Sequence, residues 1–320
     1  MGETASYDVH GVLSWNWCVW TQPRDRLKLA LLDRLDWTVA ALQEVSVESV
    51  QRISDRFPDA DIACGVDLSV DALTPGQESP SYGCAVVVRN GAAIINAGVI
   101  APTQDERWRS DSTPLAASLV YARVAMPSGV PIAVVAAHAP HAAGRGDDRD
   151  RRVERKVRTY LDLEAWLRQR DLPAIVGIDG NAWIDGGMRD LWRRPSADPA
   201  DPQWSVGQFF CDGPRRHGLR DTYRAWLESD PARLDEVRHR RPDGPLAVTY
   251  VRGTTRKVAD RFDAVMASPE FRVHSVEHDY EDSVAAGSDH SYVLAWLGLD
   301  ARRKVSQVQR PGTSSPSHRG

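Results

Sequence analysis

The feature that most constrains this chain is a series of short apolar runs, each stopping at a carboxylate, an amide or an imidazole. Val39-Ala40-Ala41-Leu42 stops at Gln43-Glu44, Val134-Val135-Ala136-Ala137 at His138, and Ile175-Val176-Gly177-Ile178 at Asp179-Gly180-Asn181. Val9 to Trp15 leads to Asn16, Arg261-Phe262 leads to Asp263, and Ser288-Asp289-His290 precedes the last run, Tyr292 to Leu297. Runs this short suit strands, and a nearly continuous apolar strand is one covered on both faces. A polar residue straight after such a strand is placed at the sheet rim, where α/β folds gather their sites.

Helix-period stretches lie between the runs. Leu27, Leu31 and Leu35 recur at i, i+4 and i+8 and predict a helix over 24–35 with one buried face. A second helix is expected over 47–57, closed by Pro58. The longest is expected over about 148–170, where Val153, Val157, Tyr160, Leu161 and Leu167 share a face. Asp147 and Asp148 at its start and Arg168 and Arg170 at its end suit the helix dipole. Further strands are expected at 84–89, 92–99, 116–125, 132–137, 247–251, 261–267 and 271–276. Asn90-Gly91 predicts a tight hairpin between the first two of these, and Pro127-Ser128-Gly129 turns the next pair.

Residues 185–217 hold many Pro, Asp, Trp and Arg with little periodicity, and read as a long irregular insertion near a functional edge. Strands in number, several of them hairpin-paired, with helices between, predict an α/β fold of two sheets packed face to face and covered by helices. One domain is expected over 1–299. Residues 300–320, rich in Arg, Lys, Ser, Pro and Gly, are expected to form a disordered tail.

With 320 residues, 42% hydrophobic, the chain can bury a large core. Its net charge of −4 argues against a long nucleic-acid footprint, though not a short one, and suits carboxylates gathered around a cation. The four cysteines form no Cys-x-x-Cys pair and read as buried free thiols of a reducing compartment. The first residues lack the basic and apolar regions of a signal peptide. No apolar run approaches the roughly 18 residues of a membrane span. A soluble, cytoplasmic protein is expected.

Each polar strand end has a mundane reading. Glu44 could open a loop or cap a helix, His138 could be an edge histidine, and Asp179-x-Asn181 could be turn chemistry. Asp263 could pair with Arg261 or Arg256, and Ser288-Asp289-His290 could be a turn and cap. Their joint occurrence in this order is harder to explain that way. The ordered set Ser14-Trp15-Asn16, Leu42-Gln43-Glu44, Ala137-His138-Ala139-Pro140, Gly177-Ile178-Asp179-Gly180-Asn181, Leu219-Arg220-Asp221-Thr222, Arg261-Phe262-Asp263 and Ser288-Asp289-His290 spans nearly the whole chain. It resembles the endonuclease/exonuclease/phosphatase superfamily, the DNase I-like fold.

That resemblance implies a four-layer α/β/β/α sandwich, two mixed, mostly antiparallel sheets flanked by helices. It implies a Mg²⁺-dependent phosphoesterase, with Mn²⁺ as the alternative ion. Glu44 would be the principal metal ligand, with Asn16 and Asp289 as further ligands or groups that orient them. Asp263 and His290 would be the carboxylate–imidazole pair. His138 would meet a phosphate oxygen or the leaving group, and Asp179 and Asn181 would position water and phosphate. The family's Gly-Asp-Phe-Asn is altered here, with Ile178 inserted before Asp179 and Gly180 in place of Phe. The acidic partner of His138 is not evident, with Glu78 one candidate. Asp221 is expected to cap or brace a helix starting at Thr222. A zinc pair of His138 and His141 is set aside, because Pro140 breaks the helix it would need and no companion ligands follow.

The fold does not fix the substrate. Arg149, Arg151, Arg152, Arg155, Lys156 and Arg158, and also Arg238, Arg240 and Arg241, form basic clusters. The first is diluted by Asp147, Asp148, Asp150 and Glu154 and reads as a solvated helix face. Trp183, Trp192 and Trp204 could stack on bases or simply pack the insertion. Tyr82 and Arg123 are further residues that could touch substrate. DNA or RNA is the leading substrate, a small phosphate ester the alternative, and an inactive binding module a third reading.

Overall fold

Alternation of side chains along the strands decides which layer each residue joins. In the computed structural model, which describes residues 8–70, 80–100, 115–141, 147–184, 209–242, 244–252 and 257–300, fourteen strands form two six-stranded sheets and a two-stranded ribbon. The first sheet runs β13 (Phe271–Asp279), β14 (Tyr292–Leu299), β1 (Val9–Asn16), β2 (Val39–Ser46), β4 (Tyr82–Val88), β3 (Asp61–Cys64). The second runs β5 (Ala93–Val99), β6 (Leu119–Ala125), β7 (Pro131–His138), β8 (Ala174–Asp179), β12 (Asp263–Ala267), β9 (Arg220–Asp221). The ribbon pairs β10 (Tyr250–Arg252) with β11 (Val258–Asp260). Only β1–β2 and β7–β8 are parallel; the other pairs are antiparallel.

Val12, Val39, Ala41 and Val86 of the first sheet share one buried cluster with Val120, Val134, Ala136, Ile175 and Val265 of the second. Their neighbours Leu13, Trp15, Ala40 and Leu42 point the other way, onto α1 (Asp25–Arg34) and α2 (Val47–Arg56), with Leu31, Leu32 and Ile53. On the far side Val135, Ala137, Val176 and Ile178 meet Tyr160, Leu163 and Leu167 of the long helix Asp147–Arg168. The order is therefore helix, sheet, sheet, helix, as the resemblance implied. Among the described residues no helix is long and apolar enough to cross a membrane.

Three local expectations need correction. Asn90 and Gly91 do make the tight turn, with φ of 57° and 82° and Ala92 N–H donating to Arg89 O at 3.2 Å. Yet the flanking strands do not pair: β4 lies between β2 and β3, and β5 pairs β6 in the other sheet. The turn dictates a reversal, not a partner. Arg89 and Asn90 instead bond the carbonyls of Leu35 and Trp37 and tie the corner to the first sheet. Second, α1 buries Lys28, Leu31 and Leu32, while Leu27 is 44% exposed. Its inner face holds the ion pair Lys28–Asp25 at 3.3 Å, which shifts the buried stripe off the leucine spacing. Third, residues 247–249 and 261–262 lie outside the strands, which begin at Tyr250 and Asp263, and β13 extends to Asp279. The insertion over 185–208, with Trp192 and Trp204, and the tail over 301–320 lie outside the described residues, as do Glu78 and Arg256.

Gly177 sets how closely the sheets meet. A Cβ there would stand 2.5 Å from Ala41 Cβ and 3.0 Å from Ser14 Cβ. Across this contact the Gln43 amide donates to Gly177 O at 3.2 Å and to Ala41 O at 3.1 Å. The ends of β1 and β2 are thereby pressed against the end of β8, which brings the polar strand ends of both sheets to one edge.

Candidate active site

Register alone aligns three of the polar residues. His138 at the end of β7 is the cross-strand partner of Asp179 at the end of β8. Asp179 is in turn the partner of Asp263 at the start of β12. Asn16, which ends β1, reaches across from the first sheet, and its Nδ2 donates to Asp179 Oδ2 at 2.8 Å. His290 completes the group from the loop before β14. Its Nδ1 faces both Asp263 oxygens, at 2.9 and 3.2 Å, and so carries a proton, while its Nε2 lies 3.8 Å from Asp179 Oδ2. Asp179, Asp263 and His290 are all buried and offer ligand atoms within 4.8 Å of one another, the only such group of His, Cys, Asp or Glu found among the described residues.

Glu44 is delivered by a fault in its strand. It has φ of 52°, and the β2–β4 register shifts between Leu42 and Val45. A non-glycine residue in the left-handed region is uncommon, and a bulge of this kind re-aims a side chain. The Glu44 carboxylate reaches Nε2 of His138 at 3.4 Å, and Asp179 Oδ2 lies 3.6 Å from the same nitrogen. Asn181, likewise left-handed at φ 46°, donates its amide to Ala139 O at 3.0 Å and lies 2.9 Å from His138 Nε2. The Ala139 carbonyl fixes which end of that amide is the nitrogen. His138 Nε2 is then an acceptor, with the ring proton on Nδ1 in the neutral form. The carboxylates beside His138 are thus Glu44 and Asp179.

Charge separates the two buried carboxylates. Burial pushes the pKa of Asp179 up, but His290, His138 and the amides of Asn16 and Asn181 outweigh it, so this carboxyl sits below its usual range. Asp263 is raised by burial and by Asp179, with His290 opposing. Burial works against charge on His290, yet Asp263 and Asp179 prevail and raise its pKa. At neutral pH the site holds an imidazolium between two carboxylates.

No protein-family model matches the chain, and no curated protein matches it by sequence. Solved structures do. An endonuclease/exonuclease/phosphatase from Bacteroides vulgatus superposes with a TM-score of 0.58 at 16% identity, over 91% of this chain and 99% of that one. TDP2 of D. rerio, in complex with a single-stranded DNA product, gives 0.57 at 14% identity, over 91% and 99%. A mannosyl-6-phosphatase of Bacteroides thetaiotaomicron gives 0.52 at 14% identity, over 90% and 99%. This is the endonuclease/exonuclease/phosphatase fold.

Within that fold the departure at Gly180 has a physical cause. A Cβ at Gly180 would stand 2.8 Å from the Tyr160 hydroxyl and 3.3 Å from Phe262 O. Tyr160 packs with Phe209 and Phe210 beneath the turn, at centroid distances of 5.2 and 6.2 Å. The aromatic volume comes from the helix and the 209–210 segment instead of from the turn. Tyr160 donates to Gly180 O at 2.9 Å, and Lys156, one helical turn earlier, donates to Asn181 O at 2.6 Å. Lys156 is fully buried, and burial lowers its pKa to about 8 against the pull of Asp179. The sequence placed Lys156 on a solvated helix face. The signal that could have found it is its spacing with Tyr160 on the apolar side.

The remaining expectations sort by position. Asp221 caps the helix Thr222–Glu228 by accepting from Tyr223 N at 3.0 Å, and both its oxygens take Arg261 at 2.7 Å. Arg261 therefore belongs to Asp221, not to Asp263. Arg123, on β6, pairs with Asp171 at 3.2 Å, several residues from the strand end that abuts the site. His141 is exposed and outside the buried group. All four cysteines are free, three buried and Cys211 half-buried.

The fold implies a divalent cation, and the donors present suit one. Glu44 is half-buried at the mouth and Asp289 is exposed beside His290, hydrogen-bonded to the Cys18 thiol. Asn16 Oδ1 accepts from Cys18 N at 2.8 Å, which orients it. These are hard oxygen donors, the two carboxylates open to solvent and Asn16 buried beneath them, and Mg²⁺, which keeps several waters, needs only one or two carboxylates. The residues fit the ion.

Proposed function

We propose that this chain is a divalent-metal-dependent phosphoesterase that hydrolyses its substrate by direct attack of water, with a nucleic-acid phosphodiester as the leading substrate. The observation that carries this is the convergence of His138, Asp179, Asp263 and His290 at one sheet edge, where Glu44 and Asn16 also reach from the other sheet.

A phosphate bound beside His290 would meet the Nε2 N–H of an imidazolium whose Nδ1 is already held by Asp263. That donor, aimed where charge grows in the transition state, is the kind of preorganised group that lowers such barriers. Asp179, kept ionised and held by the Asn16 amide, accepts a hydrogen bond from the attacking water and orients it. His138 Nε2, an acceptor lodged beside Glu44 and Asp179, would receive a hydrogen bond from the attacking water or from a protonated phosphate oxygen. Glu44, with Asp289 and Asn16, would hold Mg²⁺ or Mn²⁺, which supplies Lewis-acid neutralisation of the phosphate oxygens.

The test is hydrolysis of oligonucleotides with Mg²⁺ or Mn²⁺, beside phosphate release from a panel of monoesters, each with and without EDTA. Wild-type protein should act only with metal, and His290→Ala should lose about 3–5 kcal/mol of transition-state stabilisation, a factor of roughly 10² to 10⁴ in kcat/KM. Full activity in His290→Ala, or silence of the wild type on every ester, sinks the reading; silence would favour a binding module. A second reading, a small-molecule phosphatase, is favoured by the mannosyl-6-phosphatase neighbour and by the net charge of −4. Release from monoesters without strand cleavage would select it.

A further inference from the structure

Trp20 is 77% exposed, more than any other large apolar side chain among the described residues. Tryptophan is usually well buried, and one held open to solvent beside a site calls for a reason. The chain is anchored on either side of Trp20, at Trp17 and Cys18 before and at Thr21 after. Trp17 N donates to Gln43 O at 2.7 Å and Cys18 N to Asn16 Oδ1 at 2.8 Å. Thr21 Oγ1 bonds Cys18 O at 2.9 Å and Gly287 O at 2.6 Å, and Lys28 Nζ bonds Cys18 O at 3.2 Å. The indole is therefore presented by a braced turn only four residues beyond Asn16.

Tyr82 supports it from below. The two rings meet edge to face with centroids 5.9 Å apart, which leaves an indole face open. Tyr82 pairs with Ser46 across the β2–β4 ladder, two residues past Glu44. A flat aromatic face at the edge of a phosphate site is the element by which proteins hold an unpaired base, by stacking.

We infer that Trp20, braced by Tyr82, is a stacking ledge for one unpaired nucleobase next to the scissile phosphate, so that the substrate is single-stranded or frayed nucleic acid. This rests on the phosphodiesterase reading and narrows it. Bases inside a duplex have both faces covered and offer nothing to the indole.

Binding is the readout, so that it does not depend on turnover. Anisotropy of a labelled oligothymidylate of about a dozen nucleotides is measured with the full chain in EDTA. A strand of equal length with abasic sites in place of the nucleosides provides the control of equal charge. Trp20→Ala should weaken oligothymidylate binding roughly tenfold and leave the abasic strand unchanged, and Trp20→Phe should keep most of the affinity. Unchanged oligothymidylate binding by Trp20→Ala, an equal loss on both strands, or no binding of either strand by the wild type overturns the ledge. Cleavage with Mg²⁺ is scored separately. A protein that binds through Trp20 but cleaves nothing keeps the ledge and loses the hydrolase reading.

Discussion

Lys156 shows how much chemistry a single residue can hide in a charged stretch. It sits among Arg151, Arg152, Arg155 and Arg158, yet its ammonium is buried beneath Asn181 and bonds that carbonyl. A buried charge with thin compensation does not stabilise a fold, so its retention points to the geometry of the turn. Lys156→Met should leave the melting temperature unchanged or raise it, while lowering kcat about tenfold or more with KM within roughly twofold. Lys156→Gln, which keeps a donor, should recover part of the loss. Equal losses in melting temperature and activity in both variants would make Lys156 a packing residue only. Several of the polar residues that meet here were legible as strand ends, and register brings His138, Asp179 and Asp263 together, whereas Glu44 depends on the bulge in β2 and His290 on a loop. Lys156 and Tyr160 were not legible as site residues. Their i, i+4 spacing puts both on the apolar side of the helix, but nothing local says that this side meets the Asn181 turn.

At the scale of elements, two histidines, His217 buried and His278 half-buried, link the packing to pH. His217 donates from Nε2 to Phe209 O at 2.9 Å and accepts from Leu219 N on Nδ1 at 3.3 Å, so both nitrogens are committed in the neutral ring. His278 on β13 packs against Tyr223 with centroids 4.5 Å apart. Burial depresses both pKa values to about 3. Unfolded, each ring takes a proton below its ordinary pKa near 6.5, which the folded chain refuses until about pH 3. The unfolded state thus binds more protons across that window. Stability is full above it and falls as the solution is acidified, by about 2 kcal/mol per ring at pH 5. Urea midpoints at pH 7.5, 6 and 5 should show this slope, and His278→Phe should remove about half of it. A flat profile would mean the rings titrate normally. Element boundaries were the least legible feature. Asn90-Gly91 specified its turn correctly, but strand pairing depends on which edges are free elsewhere, and that is not written in the turn.

The whole molecule enters through the distance between its two sheets. Asn16 and Glu44 come from one sheet, His138, Asp179 and Asp263 from the other, so the site exists only while the sheets keep their spacing. The layered architecture was legible because doubly covered strands require a layer on each side. The point of closest approach was not, since Gly177 looks like any glycine in an apolar run. A Cβ at Gly177 would press on Ala41 Cβ at 2.5 Å, and both are backbone-anchored, so neither can swing away. Gly177→Ala should therefore lower stability by about 1–3 kcal/mol, the range for overpacking a tight core. It should also lower activity by more than that loss explains, because Gln43 and Asn16 are carried off with the first sheet. Removing the opposing methyl restores the space, so Gly177→Ala combined with Ala41→Gly should regain both the melting temperature and most of the activity. If the double variant recovers stability but stays inactive, sheet spacing is not what couples the two halves of the site, and the defect lies in the β8 turn alone.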